Sequence, residues 1–159
     1  MENHMKKKIL LSMLLLLTGA TYAKSLELRP LLKDRFEQNC AIRQQYDFHN
    51  EDTELIAPLE HYTIDVKYVD KQVYDSTTYK LKNVTYAGIP IRKIEFSFGR
   101  PAQQYNEYLY FDLSTTTAKQ RFKTLKFNQN HEKGDVSVEY KNNTAIVQCY
   151  WLADFSNNP

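Results

Sequence analysis

Apolar and polar residues alternate in several short stretches of the chain, and each stretch predicts a strand with one face turned inward. Between residues 61 and 69, Tyr62, Ile64, Val66 and Tyr68 share one phase, while Thr63, Asp65 and Lys67 take the other. Residues 77–86 begin in one phase with Thr77, Tyr79 and Leu81 and finish in the opposite one with Val84 and Tyr86, which predicts a bulge near Asn83. After a turn at Ala87-Gly88, residues 89–98 place Ile94, Phe96 and Phe98 inward and Lys93, Glu95 and Ser97 outward. Residues 107–113 put Leu109, Phe111 and Leu113 on the core side and Tyr108 and Tyr110 on the other. Near the end of the chain, Val136, Val138 and Tyr140 alternate with Ser137 and Glu139, and 144–152 forms another strand. Asn142-Asn143 between them suits the positive φ of a two-residue hairpin turn.

Period two stops at Ser114, where Ala118, Phe122 and Leu125 fall on one helical face and Lys119, Lys123 and Lys126 on the wet one. A Ser-Thr-Thr-Thr run supplies the cap, so 114–127 reads as one amphipathic helix. Leu28, Leu31, Leu32 and Phe36 predict a short helix or extended arm before Cys40, with Pro30 in its first turn. The acidic stretch 47–60 lacks a period and reads as a loop. The order predicts an α+β fold: an antiparallel β-meander sheet of about six strands, one amphipathic helix on a face, and an N-terminal helix or arm. A small closed β-barrel with an accessory helix is the alternative.

The first 23 residues do not belong to that pattern. Lys6, Lys7 and Lys8 precede an apolar run from Ile9 to Ala20, and the small residues Thr21 and Ala23 suit the −3 and −1 sites of a signal peptidase. The run spans twelve residues, against roughly 20 for a membrane-crossing helix. A cleaved export signal is expected, with residues 24–159 as a single globular domain and no stable membrane insertion after cleavage; a retained anchor is the alternative. Lysine rather than cysteine follows the expected cut, so a lipoprotein signal is missing. The expected location is the periplasm, or alternatively the exterior of the cell.

Charge narrows the choice of partner. Of 21 basic and 19 acidic residues, three lysines and one glutamate lie in the signal, leaving eighteen of each. This balance argues against a general nucleic-acid binder, which needs clustered excess cations. Acids dominate from Gln44 to Val66 and bases from Lys80 to Lys126, a separation that either steers a partner or simply solvates two patches.

Cys40 and Cys149 are the only cysteines, and both would meet an oxidising compartment after export. A structural bridge between them is the expected arrangement, with buried free thiols or a catalytic thiolate as alternatives. Closing a loop of about 110 residues removes roughly 4 to 5 kcal/mol of unfolded-state entropy.

No nucleophile elbow, phosphate loop, dinucleotide fingerprint or zinc-protease helix occurs. His49, Asp52, Glu54 and His61 match no ligand rhythm, so neither a metal nor another cofactor is expected. Glu95 and Glu107 fall on adjacent strands but in different phases, which makes a shared acid/base cleft doubtful. Arg100, Gln103, Gln104, Tyr105, Tyr108 and Tyr110 cluster around one loop and the strand it feeds. Tyrosine and arginine are favoured where proteins meet; tyrosine is also simply a good strand former. Five of these residues, Arg100, Gln104, Tyr105, Tyr108 and Tyr110, are the expected contact surface for a protein or envelope component. The reading is a small exported non-catalytic binding protein, inhibitor- or immunity-like in one version. An envelope hydrolase or small-ligand carrier with an unfamiliar cleft is the alternative.

Overall fold

The computed structural model describes residues 24–38, 40, 56–127, 135–141 and 143–152. The export segment and the proposed metal candidates His49, Asp52 and Glu54 lie outside these residues. The described elements form an α+β fold dominated by one open sheet of eight strands.

In chain order the strands are β1 (Leu26–Glu27), β2 (Thr63–Asp70), β3 (Tyr74–Leu81), β4 (Val84–Tyr86), β5 (Ile89–Gly99), β6 (Gln104–Asp112), β7 (Asp135–Lys141) and β8 (Thr144–Leu152). The helices are α1 (Arg29–Phe36), α2 (Ile56–Leu59) and α3 (Thr115–Arg121). A 3₁₀ turn at Glu60–Tyr62 leads into β2, and another at Phe122–Thr124 extends α3. The expected 114–127 helix is thus a shorter α-helix that tightens and then opens, yet Ala118, Phe122 and Leu125 are all buried as its spacing requires.

A six-strand antiparallel meander is corrected in three respects. Two-residue β1 pairs parallel to β4. Strand β8 lies between β6 and β7, so the order is not sequential. Strand β5 has three neighbours: β6 along one edge, with β4 and then β3 sharing the other.

The division of β3 from β4 follows from the phase change in the sequence. Between the pairs Lys80–Lys93 and Thr85–Pro90, four residues of one strand oppose two of its neighbour. Asn83 takes a left-handed conformation there (φ 58°), which Asn tolerates better than most residues. Across the interruption the buried positions change from Leu81 to Val84 and Tyr86. Strand β5 changes phase beside it: its register with β6 slips between Ile91 and Lys93, so Ile89 and Ile91 are buried before Arg92, and Ile94 and Phe96 after it.

One face of the sheet carries the core. Ile94, Leu109 and Val147 stand in register across β5, β6 and β8, and all three are fully buried. Each such side chain contributes about 1.5–3 kcal/mol by leaving water. Over one end, Phe122 packs edge-on against Phe111 with ring centroids 5.0 Å apart, and Phe127 lies 5.6 Å from the Tyr86 ring.

Helix α1 covers the same face through Leu32, Arg35 and Phe36, and several polar contacts fix it. The Cys40–Cys149 disulfide joins its C-terminal side to β8, with Cα atoms 5.4 Å apart. Arg35 Nη1 donates to Glu107 Oε2 of β6, in an ion pair almost wholly out of water. Burial pushes the Glu107 carboxyl above its ordinary value, and Arg35 opposes that push. Glu107 Oε1 has no hydrogen-bond partner among the described residues.

Glu27 clamps the opposite end. Its carboxylate accepts from the backbone N–H groups of Ala87 at 2.7 Å and Gly88 at 2.9 Å, and from the Thr85 hydroxyl at 3.0 Å. It also accepts from Arg29 N–H at 2.9 Å. Ala87 and Gly88 both have positive φ (52° and 68°), a conformation that costs alanine roughly 1–2 kcal/mol and that the carboxylate helps to hold. Burial works against ionisation of Glu27, but these donors outweigh it and lower its pKa.

Candidate functional site

The other face of the sheet is where the tyrosine-rich expectation can be tested. Gln104, Tyr108 and Tyr110 lie on it, because their neighbours Tyr105, Leu109 and Phe111 alternate toward the core face. Around Tyr110 the side chains form a closed set. Lys93 Nζ sits 3.6 Å from the Tyr110 ring centroid and 3.2 Å from Glu95 Oε2. Tyr110 donates its hydroxyl proton to that same oxygen at 3.0 Å. Register causes this arrangement: Lys93 opposes Tyr110 and Glu95 opposes Tyr108 across β5 and β6.

The set continues into β8. Gln148 Nε2 donates to Asn106 Oδ1 at 3.0 Å and to the Tyr108 hydroxyl at 3.3 Å. Gln104 Nε2 donates to Asn106 Oδ1 at 2.8 Å. The Tyr108 and Tyr110 rings lie 6.2 Å apart. Burial, followed by the Glu95 charge, raises both phenol pKa values. Both tyrosines therefore remain neutral at ordinary pH, offering an apolar ring with a polar tip. Such a face can dock a partner, with side chains already held in place.

The remaining expected contact residues are elsewhere. Tyr105 is on the core face, stacked 5.4 Å from the Trp151 ring and 4.6 Å from Phe98. Arg100 is at the end of the sheet, where its Nη2 donates to Asp70 Oδ1 at 2.6 Å and lies 3.3 Å from Asp75 Oδ2. Its Nη1 also donates to the Lys71 carbonyl. It fastens the β2–β3 hairpin.

Sequence reasoning missed Lys93, Asn106 and Gln148 as members of the array. Outward phase was visible for Lys93, but the β6–β8 adjacency that brings Gln148 beside Tyr108 was not. Glu95 and Glu107 do not converge, since Glu95 belongs to the open face and Glu107 to the core. A cleft of about 410 Å³ lies at the break between β3 and β4, where Leu81, Asn83, Arg92 and Asp112 contribute to its lining. Among the described residues, no three His, Cys, Asp or Glu side chains are grouped to hold a metal ion. Comparison with protein-family models, with curated proteins and with solved structures yields no match.

Proposed function

We propose that this chain is an exported, non-catalytic binding protein whose open sheet face engages another protein or an envelope component. The observation that carries the reading is the array of Lys93, Glu95, Tyr108, Tyr110 and Gln148, ordered by mutual contacts on the face opposite α1 and α3. Neutral tyrosines with fixed rings offer contact area at small entropic cost. An inhibitor- or immunity-type role is one form of this function. The proposed contact surface centres on Gln104, Tyr108 and Tyr110; Tyr105, on the core face, and Arg100, at the sheet end, lie outside it.

Export is part of the same proposal. A disulfide fits an oxidising compartment, and among the described residues no helix is long and apolar enough to cross a membrane. The periplasm is the proposed location, with cleavage before Lys24 and residues 24–159 as one domain. Affinity capture from envelope extract is the test, comparing the native protein with Tyr108→Ala/Tyr110→Ala. The variant is expected to stay folded, melting at a lower temperature because two half-buried rings are lost, and to lose the partner. Equal recovery by both folded proteins would refute the surface.

A further inference from the structure

Strand β2 contradicts the expectation that alternation marks a buried face. Val66 and Tyr68 point to the core side of the sheet, in register with Tyr79 and Thr77 of β3, yet they are 53% and 63% exposed. Ile64, at a bulge in the pairing with β3, is 56% exposed. Among the described residues β2 pairs only with β3, and its other edge has no strand partner there. A bare edge beside apolar side chains is a template for another strand.

We propose that β2 pairs antiparallel with β2 of a second copy, about a two-fold axis through Val66. The strand's own sequence selects both the partner and the register. An axis perpendicular to the joined sheets keeps each face on one side, so only residues of equal parity meet. Centred on Val66, Asp65 meets Lys67 of the other copy and Lys67 meets Asp65, giving two opposite-charge pairs. On the core side Val66 meets Val66, and Ile64 meets Tyr68. Centring on Asp65 or Lys67 would place like charges face to face, and centring on Tyr68 would set Asp70 against Val66. Over residues 64–68 this register alone of those compared pairs charge with charge and apolar with apolar. A closed two-fold pair consumes both β2 edges without propagating.

The test is the oligomeric state of residues 24–159 by sedimentation, for the native protein and charge variants. The native protein is expected to dimerise with rising concentration. Asp65→Lys alone and Lys67→Asp alone should each be monomeric, because each creates two like-charge pairs. An equimolar mixture of these two variants should form a heterodimer, and the double swap Asp65→Lys/Lys67→Asp should restore the homodimer. A native protein that stays monomeric at every concentration, a dimer indifferent to both single reversals, or a mixture that fails to associate would overturn the proposal. Cross-links in a monomer between β2 and residues 41–55 of the same chain would also overturn it, by identifying the chain's own segment as the cover.

Discussion

Helix α1 and strand β2 both contain apolar residues at spacings that predict burial, and α1 buries most of its set, Leu31 excepted, whereas β2 leaves its set largely exposed. Leu32 and Phe36 are essentially inaccessible, while Val66 and Tyr68 are more than half exposed. The arm containing α1 is joined to the sheet by a disulfide, a buried ion pair and the Glu27 hydrogen bonds. Strand β2 is held by its ladder to β3 and by the Arg100 contacts at the hairpin end. Periodicity identifies residues that share a face; covering that face requires a second element within reach. Here the described cover spans the centre of the sheet and stops short of its β2 edge.

Opening the disulfide should separate the two regions most sharply. Cys40→Ala/Cys149→Ala is expected to lose about 4–5 kcal/mol of stability, from the unfolded-state freedom of a loop with 109-residue separation. Urea denaturation of the variant against the native protein, with and without reductant, measures it. Reductant should weaken the native protein and leave the variant unchanged.

Arg35→Met should cost about 3–5 kcal/mol, because it leaves the Glu107 charge buried without its cation. Replacing both residues, as Arg35→Met/Glu107→Leu, should recover much of that loss. The pH dependence has a definite sign. A carboxyl whose folded pKa is raised stabilises most below its unfolded pKa and loses that contribution as pH rises through the folded value. The Arg35→Met variant should therefore weaken more than the native protein as pH rises above about 4.3, the ordinary glutamate value. Denaturant midpoints across the pH range provide the measurement.

Glu27→Gln should cost about 1–3 kcal/mol by depriving the Ala87 and Gly88 N–H groups of an ionised acceptor. Its pH dependence runs the other way from that of Glu107. Because the folded pKa of Glu27 is lowered, its contribution is present above the unfolded value and disappears as pH falls through the folded one. The variant's melting temperature should consequently respond less to acid.

The smallest effect is expected in the β2 region. Val66→Thr and Tyr68→Thr retain strand propensity and remove side chains that are already wet, so monomer stability should change by less than about 0.5 kcal/mol. Denaturation at high dilution isolates this from any association. A loss of several kcal/mol in either variant would mean that the edge is as firmly covered as the centre.

The legible parts of the fold were those written in local pattern. The shift from Leu81 to Val84 marked the interruption between β3 and β4, and Asn83 supplies the left-handed residue there. The corresponding shift in β5 was hidden because Ile89, Ile91 and Ile94 occupy both phases of one apolar run. Two-residue β1 has no period to detect. Glu107 could be placed inward from its phase with Leu109, but its partner Arg35 lies 72 residues away, beyond any spacing rule. The open-face array was half visible: Tyr108 and Tyr110 declared their side, whereas Lys93 and Gln148 joined them only through strand neighbours. Tyr105 is close to them in sequence, but its parity assigns it to the opposite face.

The position of β8 bears on how the molecule is assembled. This strand comes late in the chain, yet it sits between β6 and β7 and carries the sulfur that secures α1. Its seat must be filled from a distant part of the polypeptide, and such nonlocal closure slows folding. Until residues 144–152 are made, β6 lacks that neighbour and Cys40 lacks its disulfide partner, although the arm can already pair with β4 and reach Glu107 of β6. The covalent lock between the arm and the sheet is thus set only when nearly all of the described sheet has been made.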